Sequence, residues 1–195
     1  PADPPVTPAV DVAGRRLAEW SARARAPDNR ARFEQTVRQL ERVVREGGEL
    51  PGAEPDPAIE AVLDRIRAEG RLRVVHGVAI VDQRGLPPLP PVRVNGLHEQ
   101  PVTVTVNSRA DRERVYVVGV NPHVAHPADV TPALRAVAVA EHAHGPPCLR
   151  AEPGPGTENW GGRATVFGSP WNYASRLMPD EVAALVGDAL GLGGR

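Results

Sequence analysis

The sharpest hydrophobic pattern lies near the C-terminal end. Val182, Leu185, Val186, Ala189 and Leu190 recur at i, i+3, i+4 and i+7 after Met178-Pro179. That spacing predicts an amphipathic helix opened by the proline. Phe33, Val37, Leu40 and Val44 repeat the pattern between arginines and glutamates. They predict a one-sided helix from about Asn29 to Glu46, capped by Asp28 and ended by Gly47 and Gly48. Residues 9–26 are also helical in composition, and Leu17 with Trp20 offers a matching stripe. The two segments predict an N-terminal helical hairpin behind a disordered, proline-rich lead over residues 1–8. After a linker over 49–56, Asp56-Pro57 is a strong helix start. Ile59, Val62, Leu63 and Ile66 mark one face of that helix, and Gly70 stops it.

The period then changes. LRVVHGVAIV holds two apolar runs around Gly77, which predict two short strands or one bulged strand. GLPPLPP (85–91) predicts an extended polyproline segment, a domain boundary and a docking strip. Val92 to Asn95 is expected as a short strand. Val102, Val104 and Val106 alternate with Thr103 and Thr105, a half-buried strand whose partner is Arg114 to Val120 beyond a polar turn at SRADRE. Thr131-Pro132 caps a helix to about His142, with Leu134, Val137 and Ala138 inward. A glycine- and proline-rich loop leads to a strand over Arg163 to Phe167. The expected class is α+β, an N-terminal helical hairpin followed by a mostly antiparallel sheet of four to six strands packed by two or three helices. The divisions are 1–48, a helical extension; 49–91, a helix with short strands and a proline-rich linker; and 92–195, the α+β core.

Composition narrows the function classes. The chain has 195 residues, enough for about one domain on a prior of roughly 100–200 residues each. The net charge is −1, so no large field draws it to nucleic acid or an acidic membrane. All 23 basic residues are arginine. Lysine chemistry is therefore excluded, whether Schiff base, catalytic amine or P-loop. Arginine and alanine excess with 22 Pro and 19 Gly points to a GC-rich bacterial genome. One cysteine excludes an internal disulfide framework, a CxxC pair and cysteine-rich metal modules. No apolar run reaches the ~18 residues of a membrane span. The start lacks a basic region followed by an apolar one, so no signal peptide is expected and the cytoplasm is the expected location.

Four of the six histidines and the cysteine fall in one stretch, NPHVAHPADVTPALRAVAVAEHAHGPPC. His123 and His126 form an H-x-x-H pair in a loop. His142 and His144 form an H-x-H pair at a helix end, and Cys148 follows. Imidazole and thiolate are ligands for zinc in tetrahedral geometry, and the imidazoles alone suit copper. Cys148 with His142 or His144, oriented by Glu141 or Glu158, is a candidate nucleophile pair. The bland alternatives are loop histidines, a helix-end histidine placed by the dipole and a buried cysteine. Asn159, Trp160, Trp171, Asn172 and Tyr173 gather aromatic and amide groups late in the chain. Trp160, Trp171, Asn172 and Tyr173 suit a binding surface, or they seal the edge of a small core.

Two segments resemble known families. VRVNG…VTVTVN…RVYVVGV…TPALRAVAVAE, about 50 residues, resembles the small copper-chaperone partners of bacterial tyrosinases. That resemblance implies a strand, a hairpin and an alanine-rich helix. Where that family sets a histidine and a tyrosine after the second strand, Gly119, Val120 and Asn121 stand here. SPWNYASRLMPDEVAALVGDAL is similar to the end of thioredoxin-like [2Fe–2S] subunits, which implies a tight hairpin before the last helix. The four cluster cysteines are absent, so iron–sulfur function does not carry over.

The expected function is that of a non-catalytic accessory protein or partner subunit that binds another protein or peptide. The first rival is a mononuclear metal protein or metalloenzyme holding zinc or copper on His123, His126, His142 and His144. The second is a cysteine-nucleophile enzyme using Cys148.

Overall fold

The computed structural model describes residues 56–109, 112–124, 129–145, 153–154, 159–170 and 172–193, together with Arg38. The chain divides into two compact units, 1–57 and 58–195. The helical hairpin expected over residues 9–46 lies outside the described residues apart from Arg38, which is helical and exposed.

The second unit is α+β. Its elements run α1 (Pro57–Ala68), β1 (Leu72–Val75), β2 (Val78–Asp82), α2 (Pro91–Asn95), β3 (Val102–Arg109), β4 (Arg112–Val120), α3 (Thr131–His144), β5 (Gly161–Arg163), β6 (Val166–Gly168) and α4 (Pro179–Ala189). The six strands form one mixed sheet in the order β1-β2-β3-β4-β6-β5. Only β2 and β3 pair in parallel; the other neighbours are antiparallel.

The β2 strand explains the layering. Val78, Ala79, Ile80 and Val81 are all fully buried, as a strand covered on both faces requires. Val78 and Ile80 join a core with Val104, Val118 and Phe167, capped by Val137 of α3 and Val186 of α4. Val81 faces the other way, into a smaller core with Leu63 and Ile66 of α1, Leu89, and Val94 of α2.

Helix ends follow local chemistry. Arg71 N–H donates to the Ile66 carbonyl and Gly70 N–H to that of Arg67, with Gly70 at φ +62°. Leu192 donates to Gly187 and Gly191 to Asp188, with Gly191 at φ +66°. Both are Schellman closures, which need a left-handed residue where glycine carries no penalty. Between β1 and β2 the reversal takes two residues, His76 at φ +48° and Gly77 at φ +74°. Two left-handed residues are the type I′ requirement. LRVVHGVAIV is thus a tight hairpin rather than one bulged strand.

Two expectations change, at Val92–Asn95 and Arg163–Phe167. Residues 85–91 lie inside the second unit. Leu89 is buried and Leu86 packs beside it, while Leu89 N–H donates to the Gln83 side chain at 2.8 Å. Val92–Asn95 is helical, not a strand. Pro91 opens one turn whose Arg93 and Val94 N–H groups both reach the Pro90 carbonyl, so Val92 and Val94 only imitated alternation. Arg163–Phe167 is not one strand but the β5–β6 hairpin. Its turn carbonyls, Ala164 and Thr165, accept from Val130 N–H at 2.7 Å and Val120 N–H at 3.0 Å. Those partners are distant in sequence, so local pattern cannot show the reversal.

The β1–β2 turn rests against α4 with no space between the backbones. A Cβ on Gly187 would sit 2.3 Å from the His76 carbonyl oxygen. Beside it His76 Nδ1 meets Asp188 Oδ1 at 2.7 Å, and Arg73 bonds Asp180. Gly187→Ala is therefore expected to lower unfolding free energy by about 1–3 kcal/mol, the scale for forcing a methyl into filled space. Urea denaturation measures this, and a loss within ~0.5 kcal/mol, as for an ordinary surface change, would contradict the contact.

Candidate functional site

The described polar chemistry concentrates in two buried networks. The first centres on Glu141. It lies one turn beyond Val137 and Ala138 on the inward stripe of α3 and is only 1% exposed. A carboxylate in such a place must have its acceptors satisfied. Oε1 accepts the Arg176 backbone N–H at 2.8 Å. Oε2 accepts the Ser175 hydroxyl and, at 3.4 Å, the Trp160 indole N–H. The network fixes the segment before α4. Leu177 N–H donates to Ser175 Oγ at 3.2 Å, Ser175 N–H donates to the Arg114 carbonyl at 3.0 Å, and the Tyr116 hydroxyl donates to the Leu177 carbonyl at 2.7 Å. Burial pushes the Tyr116 phenol well above its ordinary value of 10.0, so it remains a donor.

Trp160 therefore belongs to the core and not to a binding surface. It is 1% exposed, stacks on Tyr116 at 6.0 Å and meets Phe167 edge-on at 6.0 Å. Asn172 is exposed and Tyr173 half-buried, while Trp171 lies outside the described residues. Both Glu141 oxygens accept bonds from inside the fold.

The second network closes the end of the sheet where β3 begins and β4 ends. Asn121 is fully buried. Its Nδ2 faces the carbonyls of Asn95 at 3.2 Å, His98 at 3.4 Å and Gln100 at 3.2 Å. Its Oδ1 accepts His123 N–H at 3.0 Å, and its own N–H donates to the Pro101 carbonyl at 2.8 Å. Within the loop so held, Gln100 N–H donates to His98 Nδ1 at 3.1 Å. Nδ1 is thus an acceptor and the ring proton lies on Nε2. Nε2 is 2.9 Å from Thr103 Oγ1, which in turn donates to Asn95 Oδ1 at 2.8 Å. Thr103, His98 and Asn95 look like a nucleophile relay, but the proton on Nε2 points at the hydroxyl. In that state His98 cannot act as its base.

The histidine stretch is only partly brought together. His123 is exposed in the turn after β4. His142 and His144 are exposed and both lie within α3, which runs to His144 rather than ending near His142. Two residues apart on a helix, their side chains leave on opposite sides. The His144 carbonyl accepts from Arg176 Nη1 at 2.5 Å. His126 and Cys148 lie outside the described residues. Among the described residues no three His, Cys, Asp or Glu side chains cluster as a metal site would require.

The sheet also presents apolar surface. Val118 and Phe167 point into the main core, so their neighbours Val117 and Val166 point to the opposite face. There α1 and α2 cover the β2 end, while Val117 and Val166 are each 41% exposed. Gly119 pairs directly with Val166 and its Cβ position lies 3.9 Å from that side chain, so no β4 side chain covers Val166 there.

No protein-family model matches the chain. No curated protein matches it either.

Sequence reasoning overlooked Asn121 and His98 and gave Glu141 only a supporting part. Glu141 had a signal: it continues the stripe of Leu134, Val137 and Ala138 as a charge on an apolar face. Asn121 had none, because its partners are backbone groups brought near by folding, and His98 lies in an irregular loop whose path the spacing of residues does not fix. Glu141→Ala would leave three donors without an acceptor, and an expected loss of about 3 kcal/mol or more follows. Glu141→Gln keeps an acceptor oxygen and should lose less; chemical denaturation followed by tryptophan fluorescence compares them. For zinc, titration of His142→Ala and His144→Ala should not show both variants weakening one common ion. A shared loss would mean that the helix end unwinds on binding.

Proposed function

We propose that this chain is a non-catalytic accessory protein or partner subunit that binds another protein or peptide. The observation that supports this is the open sheet face carrying Val117 and Val166, two β-branched side chains left 41% exposed beside a glycine-containing strand. Exposed valines are individually ordinary. A flat apolar pair on a sheet whose other half is covered is the kind of surface a partner segment buries. The two polar networks, by contrast, consist of buried groups satisfied within the fold, and they serve to hold loops.

The proposal is tested by placing a photoreactive amino acid at position 117 in the native host, with position 139 on the exposed side of α3 as the control. One partner should crosslink at 117 and not at 139. With Val166→Asp the crosslink should fall about tenfold, as loss of one well-packed contact implies. Equal labelling at both positions, or none at 117, would reject this face as the interface. Unfolding curves that match the parent protein must accompany the Val166→Asp result.

A further inference from the structure

The loop at 96–101 is closed by one imidazole in one protonation state. Gln100 N–H points at His98 Nδ1, and His98 Nε2–H faces Thr103 Oγ1. A proton added at Nδ1 would set two N–H groups against each other, so the loop must release either Gln100 or the ring. The side chains around the ring are neutral: Asn95 from α2 and Thr103 from β3, with Asn121 from the end of β4 bound to the His98 carbonyl. Among the described residues, the charged or titratable groups of the surrounding elements are Glu99 in the loop, Arg93 on α2, paired with Glu60 of α1, and His123 beyond Asn121.

We propose that His98 is an acid-operated latch: the neutral ring closes the 96–101 loop, and protonation opens it and, through Asn121, loosens the turn at 121–124. The coupling follows from the bonds. Asn121 holds the loop by the carbonyls of His98 and Gln100, meets that of Asn95 at the end of α2, and holds the turn by His123 N–H. Loss of the loop's shape removes the partners that fix Asn121. Histidine is the side chain whose charge changes in the physiological range.

Burial holds the His98 pKa below its ordinary value of 6.5. The folded state thus favours the neutral ring. The stability tied to the closed loop is present above the unfolded-chain value and is lost as pH falls through the folded one. The latch opens on acidification and closes again on return to neutrality.

The test is nuclear magnetic resonance on the full chain from about pH 8 to about pH 5, spanning imidazole titration. At the upper end His98 should show the Nε2–H tautomer, and the Gln100 amide should be protected from exchange. As His98 takes up a proton, Gln100 protection should fall on the order of tenfold, the scale of one net hydrogen bond. The Asn121 side-chain resonances should move in the same step, while core amides such as Ile80 and Val104 stay protected. His98→Gln should abolish the step, and His123→Gln should retain it. Three results would overturn the proposal: protonation of His98 with Gln100 unchanged, persistence of the step in His98→Gln, or simultaneous loss of protection at Ile80. The tautomer and the Gln100 titration are read on the parent protein, so the idea remains testable if His98→Gln does not fold.

Discussion

Burial of β2 on both faces is the constraint from which the rest of the second unit follows. Four consecutive apolar residues, Val78 to Val81, are removed from water. A strand can satisfy this only as an interior member of a sheet with packing on each side. Pairing in parallel with β3 then requires a crossover, and the proline-rich strip with α2 supplies it. The strip is not regular structure, yet Leu86, Leu89 and Val94 bring it into the smaller core. On the opposite side α3 and α4 close the larger one.

Two buried polar residues do what apolar packing cannot. Hydrophobic burial is non-directional and does not select one path for an irregular loop. Glu141 selects it for the segment before α4, because its oxygens need donors and that segment has them. Asn121 selects it for the loop before β3 by gathering three carbonyls around one amide. Removing either leaves unmatched buried groups, which are more expensive than the bonds are worth when made. The sheet end near Asn121 is accordingly ordered by hydrogen bonds, and burial favours the neutral ring of one of its members, His98.

The chemistry that draws the eye in the sequence and the chemistry the fold organises are different. The histidines at 142 and 144 are close in the chain, but a helix separates them in direction. Trp160 sits among glycines in the sequence, yet it stacks between Tyr116 and Phe167 in the core. Among the described residues, apolar surface is left open on β4 and β6 at Val117 and Val166. It supports a binding role more directly than the loop aromatics do.

Helices α1 and α4 were legible because period, opening proline and closing glycine are all local signals. The β3–β4 hairpin was legible because alternation reports a half-covered face. The α+β class followed from the mixture of the two periods. Three features depended on folding. The Arg163–Phe167 stretch reverses because Ala164 and Thr165 find donors at Val130 and Val120. Val92–Asn95 turns helical because Pro91 fixes the first turn, even though its valines alternate. The duty of Asn121 arises from carbonyls that the sheet brings to one end. Sequence by itself determined which segments bury apolar faces, since that is written in spacing. Tertiary structure decided which polar groups meet, since hydrogen bonds are directional and their partners lie far apart in the chain.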